Sequence, residues 1–296
     1  MSKPEGRSWL VTVALLFGML NFGFAPVLVR VAGDVDPFAL AVVRTASAAI
    51  VLIAIWALSS RSERHPYSRN ENLLALGAGF ALGLHFICWI AAIMLTSVAS
   101  ASVLVTIHPV ILILIEAYYF QRKFTGLVWT GVFMAFSGSV VLGISDATSD
   151  TGFEHALRGD FLAVMAALLF VVYFLLSQKL RQTSDWLGYI TRVYGITALT
   201  CIGVAAAVGA DFSMPLVALA AGIGLGLGPQ IAGHGAMNYA VKFISPAILA
   251  TLILVEPVLG SLLAWGLFNE VPPGLSILAI IIILCGVLMA WVKRSV

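Results

Sequence analysis

The stretch HPVILILIEAYYFQRKFTG, residues 108–126, can be laid over EPVLGSLLAWGLFNEVPPG, residues 256–274, at a shift of 148 positions. Each stretch places an ionisable residue directly before a proline and continues as an apolar segment. The same shift carries Arg44 onto Arg192 and Gly138 onto Gly286. Chance readily matches apolar residues in a hydrophobic chain, but it rarely repeats an arginine and a proline within apolar runs at one offset. The sequence therefore indicates a duplicated unit.

The composition requires a lipid environment. Hydrophobic residues make up 61% of the 296 residues and charged residues only 10%, against roughly 25% charged residues in an ordinary globular protein. This hydrophobicity excludes disorder, and no basic block is long enough to indicate nucleic-acid binding. The three cysteines, Cys88, Cys201 and Cys285, all lie inside apolar stretches, so we expect no disulfide.

A helix needs about 20 apolar residues to cross the hydrocarbon core of a bilayer. Ten such runs are predicted, at 9–32, 37–59, 70–94, 98–119, 125–144, 159–180, 186–208, 215–241, 245–267 and 273–292. Their length excludes membrane strands, so the predicted fold is all-α with ten transmembrane helices. Because five is odd, the second of two five-helix repeats (1–148 and 149–296) would be inverted relative to the first. Such folds place the substrate near the membrane midplane, between the repeats.

The distribution of lysine and arginine predicts the orientation. With the N-terminus in the cytoplasm, twelve of the sixteen basic residues fall on the cytoplasmic side: Lys3, Arg7, Arg61, Arg64, Arg69, Arg122, Lys123, Lys179, Arg181, Lys242, Lys293 and Arg294. The opposite loops contain only Arg158. We therefore expect both termini in the cytoplasm.

A proline-centred fourth helix in each half, VTIHPVILILIEAYYF and LILVEPVLGSLLAWGLFNE, resembles the drug/metabolite transporter superfamily, specifically its EamA-type members. The chain departs from the usual pattern at His108, where glutamate is commoner in the family. The resemblance covers essentially the whole chain and implies a bacterial inner-membrane exporter of amino acids or related metabolites. Its YddG-like amino acid exporters imply a central cavity lined by the first, third and fourth helices of each half.

Ionisable groups near the middle of a membrane span are costly and are candidate functional groups. Glu256 and His108 are the two strongest cases. The proline that follows each of them frees the carbonyl four residues back, at Ile253 and Val105 respectively. Two interpretations stay open, namely a polar group presented to substrate or proton, and a structural kink.

Two helices carry polar residues at a spacing of four, which places them on one face. His85 and Trp89 share a face of the third helix, while Gln230, His234 and Asn238 form a polar stripe on the eighth. Hydrocarbon satisfies no hydrogen bond, so this stripe faces either an aqueous cavity or a neighbouring helix, to which it would hydrogen-bond.

Aromatic and charged residues complete the candidates. Phe17 and Asn21 share a face of the first helix, and the sixth helix offers the aromatic residues Phe170, Tyr173 and Phe174. The symmetry of Arg44 and Arg192 favours a structural role over binding of a substrate carboxylate. Glu116 is expected to pair locally with Arg122 or Lys123.

The predicted function is that of a secondary transporter, not an enzyme, because no constellation of nucleophile, base and metal ligands occurs. We expect it to export small metabolites, in particular neutral or aromatic amino acids, by alternating access around a midplane cavity. The alternative is a broad-specificity exporter of drugs or cations with proton coupling through Glu256. Ten residues are predicted to bind substrate: Phe17, Asn21, His85, Trp89, His108, Tyr173, Gln230, His234, Asn238 and Glu256. No cofactor and no metal are expected, and the partners are a small-molecule substrate, the lipid bilayer and protons.

Overall fold

A computed structural model describes residues 6–59, 67–96, 101, 104–147, 156–268 and 274–292, and these residues form helices without any strand. The helices, in chain order, are α1 (Gly6–Ala32), α2 (Pro37–Leu58), α3 (Arg69–Leu95), α4 (His108–Tyr118), α5 (Gly126–Ala147), α6 (Ala156–Arg181), α7 (Trp186–Val208), α8 (Leu216–Leu225), a π-helical segment (Gly226–His234), α9 (Gly235–Ala240), α10 (Pro246–Ile253), α11 (Val255–Phe268) and α12 (Gly274–Val292).

The described helices include eight that are long and apolar enough to cross a membrane. These eight coincide with eight of the ten predicted runs, which confirms an all-helical membrane protein. The remaining two runs, 98–119 and 125–144, coincide with shorter apolar helices, His108–Tyr118 and Gly126–Leu142. The number ten stays a prediction. Five of the basic residues used to predict the orientation, Lys3, Arg61, Arg64, Lys293 and Arg294, lie outside the described residues.

Polar side chains and prolines set the helix ends. The Asp36 carboxylate accepts from the backbone N–H of Phe38 at 2.8 Å and so caps α2, which begins at Pro37. Ser68 and Glu71 form a reciprocal capping box at the start of α3. These contacts satisfy N–H groups that no helical carbonyl can reach at the first turn.

Two spans are interrupted at prolines, as the sequence predicts. The ninth span divides into α10 and α11 at Leu254, three residues before Pro257. In the fourth span the carbonyl of Val105 accepts a hydrogen bond from His108 Nδ1 at 2.7 Å. The histidine side chain therefore satisfies a carbonyl that the proline leaves without its helical donor.

The packing of α5 against α12 repeats at a shift of 148 residues. A Cβ atom at Gly138 would lie 2.8 Å from Ile283 Cγ1 and 3.1 Å from the carbonyl oxygen of Ala279. A Cβ atom at Gly286 would lie 2.7 Å from the carbonyl oxygen of Gly131 and 2.5 Å from the backbone nitrogen of Ala135. Positions 138, 131 and 135 become 286, 279 and 283 when 148 is added. Each glycine therefore contacts residues equivalent to those that the other glycine contacts. The two helices thus approach each other closely through equivalent glycines.

The helix α3 runs antiparallel to α6. Thr183 Oγ1 donates to Glu71 Oε1 at 2.6 Å near one end of the pair, and Thr96 Oγ1 donates to Asp160 Oδ1 at 2.9 Å near the other. The helix α1 packs in the corresponding way against α8, the π-helical segment and α9. Under the same shift, α1 maps onto α6 and α3 onto this eighth span.

We predict that Gly286→Ala destabilises the protein, because the added Cβ meets backbone atoms of α5 that cannot move aside cheaply. Overpacking of this kind costs about 1–3 kcal/mol, so the midpoint of thermal unfolding in detergent should fall. Gly203→Ala is the matched control, since Gly203 also lies inside a helix and a Cβ there meets nothing within 4 Å. Equal midpoints for the two variants would contradict the close contact.

Candidate functional site

A cavity of about 40 Å³ lies between the helices. Its walls come from both halves of the chain. The lining residues are Phe22, Ala25, Arg44, His85, Phe86, Trp89, Val105, Thr106, His108, Phe170, His234, Ile253 and Glu256.

Eight of these lining residues form four pairs at the shift of 148. The pairs are Phe22 with Phe170, Phe86 with His234, Val105 with Ile253, and His108 with Glu256. The other five lining residues (Ala25, Arg44, His85, Trp89 and Thr106) all come from the first half. The cavity therefore has equivalent positions on two sides and an additional set of groups on one side.

Arg44 is the cation of the cavity, and it is only 2% exposed. Its guanidinium carbon lies 3.7 Å from the centroid of the Phe86 ring and 5.6 Å from that of Trp89. Its Nε donates to Gln230 Oε1 at 3.4 Å. A cation over an aromatic face is attracted by the ring quadrupole, so these contacts hold the guanidinium in place.

Glu256 faces the same cavity and interacts electrostatically with Arg44. Among the described residues, no ion pair within 4.0 Å joins the two groups, whereas Glu116 and Arg122 do form one at 2.8 Å. The prediction that Glu116 pairs locally is thus confirmed. Arg44 and Glu256 thus line one cavity without a direct ion pair.

Aromatic and imidazole rings form a continuous wall that starts at Arg44. Phe86 lies under the guanidinium, and its ring centroid is 5.3 Å from that of His85. The centroids of His85 and Phe170 are 5.4 Å apart, and those of Phe170 and His108 are 4.5 Å apart. The wall therefore runs from a cation at one end to His108 at the other.

The cavity brings together five of the ten predicted site residues, namely His85, Trp89, His108, His234 and Glu256. In the described part of the chain, no group of three or more His, Cys, Asp or Glu residues has the arrangement of a metal site.

Gln230 and Asn238 are buried but do not line the cavity. Gln230 lies behind Arg44 as its hydrogen-bond partner, and the carbonyl of Gln230 accepts from Tyr194 Oη at 3.1 Å. Only His234 of the predicted stripe reaches the cavity. Gln230 and Asn238 instead match the second interpretation of the stripe, hydrogen bonding between helices.

Asn238 and Tyr173 belong to a buried polar network in the second half. Asn238 Nδ2 donates to Tyr173 Oη at 2.6 Å and to Tyr194 Oη at 3.3 Å. The Tyr189 hydroxyl lies 3.0 Å from Asn238 Oδ1 and 2.6 Å from Ser177 Oγ. The network joins α6, α7 and α9, so it stabilises their packing.

Phe17 and Asn21 lie on the wrong side of α1 for the cavity. The Phe17 side chain is 60% exposed, and Asn21 Nδ2 donates back to the Phe17 carbonyl at 2.9 Å. The cavity is reached instead by Phe22 and Ala25. Each step of four residues turns a helix position by about 40°, so Phe17 and Ala25, two steps apart, face clearly different directions.

Sequence reasoning gave Arg44 and Arg192 the same structural role, and the structure separates them. Arg44 lines the cavity, whereas the Arg192 guanidinium lies 3.5 Å from the centroid of the Tyr67 ring. Phe22 and Phe86 were also missed, since nothing marks a single phenylalanine in a chain this apolar. The shift of 148 is the signal that could have found them, because it pairs Phe22 with Phe170 and Phe86 with His234.

Apolar helices around a cavity that is lined by aromatic rings, Arg44 and Glu256 define a multi-pass membrane protein. The profile of the EamA-like transporter family matches residues 9–144 and again residues 157–292. The chain belongs to the EamA-like transporter family. It is therefore a transporter and not an enzyme, as predicted.

Several known proteins are similar to this chain. The uncharacterized transporter YdfC of Bacillus subtilis is 22% identical over 67% of this chain and 63% of its own length. The probable terminal-alkyne amino-acid exporter of Streptantibioticus cattleyicolor is 25% identical over 76% of this chain and 75% of its own. A solved crystal structure superposes on 97% of this chain and 99% of its own, with a TM-score of 0.76 at 20% identity; this likeness establishes the fold alone.

We predict that Tyr173→Phe lowers the unfolding midpoint, because it removes the hydroxyl that accepts from Asn238 and leaves Asn238 Nδ2 with only the longer contact to Tyr194. An unmet buried polar group costs about 1–3 kcal/mol. Tyr119→Phe is the matched control, since its side chain is 79% exposed. If Tyr173→Phe and the control have the same unfolding midpoint, the network contributes nothing to stability.

Proposed function

We propose that this transporter exports neutral amino acids with apolar or aromatic side chains, which it binds as zwitterions in the cavity. The carrying observation is that Arg44 and Glu256 face one aromatic-walled cavity without pairing directly. Arg44 would bind the substrate carboxylate, and Glu256 would bind its ammonium group. The ring wall that begins at Phe86 would contact the side chain.

The direction of transport comes from relatives. The resemblance stated from the sequence implies an exporter, and one relative carries the name of a probable amino-acid exporter. Arg44 argues against the alternative of a lipophilic-cation exporter, because a cation would enter a cavity that already contains a guanidinium group. Like charges held close in a medium of low dielectric repel each other strongly.

We propose ten transmembrane helices in two inverted repeats, 1–148 and 149–296. Three observations support this arrangement. The two segments matched by the family, 9–144 and 157–292, are themselves 148 residues apart. The contacts between α5 and α12 exchange under that shift, and so do four pairs of cavity residues. A two-fold axis through the cavity would relate the repeats.

The proposed mechanism is alternating access. A cavity of about 40 Å³ is far smaller than the roughly 300–1,000 Å³ of a typical ligand pocket, so substrate entry requires the surrounding helices to move apart. Close glycine contacts such as those between α5 and α12 present smooth surfaces for such a motion. We propose that both termini lie in the cytoplasm, which the distribution of basic residues supports, and that the protein lies in the bacterial inner membrane. The remaining predicted binding residues, Phe17, Asn21, Tyr173, Gln230 and Asn238, would act at most indirectly.

We predict that Arg44→Gln raises the half-saturation concentration for a labelled aromatic amino acid by at least about 10-fold in proteoliposome counterflow. The reason is that a hydrogen bond to a charged group contributes about 1.5–3 kcal/mol. Arg192→Gln is the matched control, since it removes the arginine at the equivalent position outside the cavity. Equal effects of the two substitutions would refute carboxylate binding by Arg44. Saturable flux of a lipophilic cation, with none for any amino acid, would refute the proposal as a whole.

We predict that Glu256→Gln abolishes flux driven by an imposed pH gradient, because glutamine cannot carry a proton. Counterflow at equal pH should persist with a raised half-saturation concentration, because glutamine keeps the shape but lacks the charge that would bind the substrate ammonium group. Asp211→Asn serves as control. Asp211 is exposed outside the spans, and the backbone N–H of Ser213 lowers the pKa of its carboxyl, so Asp211 stays ionised over the assay range. Unchanged pH-driven flux in Glu256→Gln would leave Glu256 as a kink residue.

A further inference from the structure

His108 presents a buried nitrogen atom without a partner. The side chain is 3% exposed and lines the cavity. Its Nδ1 contacts the Val105 carbonyl oxygen at 2.7 Å, while its Nε2 has no hydrogen-bond partner among the described residues. Buried polar atoms are nearly always satisfied, so this nitrogen calls for an explanation.

The Val105 contact determines which nitrogen carries the proton. A carbonyl oxygen can only accept, so His108 Nδ1 must donate to it. In the neutral ring Nε2 is then an acceptor. A charged ring would add a second cation to a cavity that already contains Arg44, and its Nε2–H would have no acceptor among the described residues. This cavity-lining residue therefore carries a fixed hydrogen-bond acceptor at Nε2.

The acceptor lies at the end of the ring wall away from Arg44. The ring contacts lead from Phe86, under the Arg44 guanidinium, through His85 and Phe170 to His108. His108 and Glu256 occupy equivalent positions in the two halves, on opposite sides of the proposed axis. A zwitterion bound between Arg44 and Glu256 would thus extend its side chain along Phe86, His85 and Phe170 toward His108.

Resting on the proposed function, we propose that His108 Nε2 accepts a hydrogen bond from a donor group on the substrate side chain. The transporter then selects aromatic amino acids that carry an N–H or O–H group, tryptophan and tyrosine, over phenylalanine. A site built to hydrogen-bond a substrate group discriminates against the analogue that lacks the group, because the buried acceptor is left unmet.

The test uses two pairs of ligands that differ in the donor alone, tyrosine with phenylalanine and tryptophan with 1-methyltryptophan. Each is added unlabelled to compete with counterflow of labelled tryptophan in proteoliposomes of the full chain. We expect tyrosine and tryptophan to compete about 10-fold more strongly than their partners. His108→Leu should bring both ratios toward one, whereas His108→Gln, which keeps an acceptor, should retain part of the preference.

The outcomes separate this proposal from the function on which it rests. The role of His108 would be overturned if the wild-type protein transports all the aromatic amino acids and the two members of each ligand pair compete equally. The proposed function would then remain intact. A resident water would satisfy Nε2 in that case. Ratios that persist in His108→Leu would also overturn it. The wild-type ratios need no variant, so poor folding of a substituted protein leaves the test decisive. Absence of amino acid transport would overturn both.

Discussion

A guanidinium group held inside a membrane-spanning bundle is the constraint that orders this cavity. An arginine at the centre of a span costs about 2.5–3.5 kcal/mol on insertion scales, and Arg44 is almost fully buried. The face of Phe86, the amide of Gln230 and the opposite charge of Glu256 surround it. A cation–π contact contributes about 0.5–2 kcal/mol, and a hydrogen bond to a charged group about 1.5–3 kcal/mol. These contacts are of the size needed to offset the cost, and they bring residues of α2, α3, α11 and the π-helical segment together.

The close approach of α2 to the π-helical segment depends on a glycine. A Cβ atom at Gly226 would collide with Ser47 Oγ and with the carbonyl oxygen of Arg44 itself. Four residues further on, Gln230 reaches the arginine side chain. The glycine-rich run that begins at Gly222 thus lets the backbone carrying Gln230 lie against the backbone carrying Arg44. Small residues commonly permit this contact in membrane helices.

The fold was predictable from the sequence to the extent that it follows from local chemistry. Apolar runs are local signals that located the helices, and the prolines after His108 and Glu256 are local signals that located the interruptions at Pro109 and Pro257. The site was predictable only in part, because burial is a property of tertiary packing. Arg44 and Arg192 are arginines at equivalent positions of the two halves. Their surroundings differ in the folded protein, because Arg44 lines the cavity whereas Arg192 stacks on Tyr67. Phe17 is exposed and Phe22 lines the cavity for the same kind of reason. The helices that pack against α1 determine which of its faces points inward.

The proposed duplication places equivalent residues on two sides of the cavity. The positions at which the two halves differ favour one orientation of a bound substrate. At one pair of equivalent positions both halves have a phenylalanine, Phe22 and Phe170. At another pair the first half has His108 and the second half has Glu256. Arg44, His85 and Trp89 line the cavity from the first half without counterparts from the second. A symmetric site would bind a zwitterion equally well in two opposite orientations. With one cation and one carboxylate at non-equivalent positions, a single orientation is favoured, and the side chain of the substrate then always meets the same wall. Selectivity for one kind of side chain therefore requires that the two halves differ at these few positions. The symmetry of the surrounding helices is retained, and it allows the cavity to open to either side, as alternating access requires.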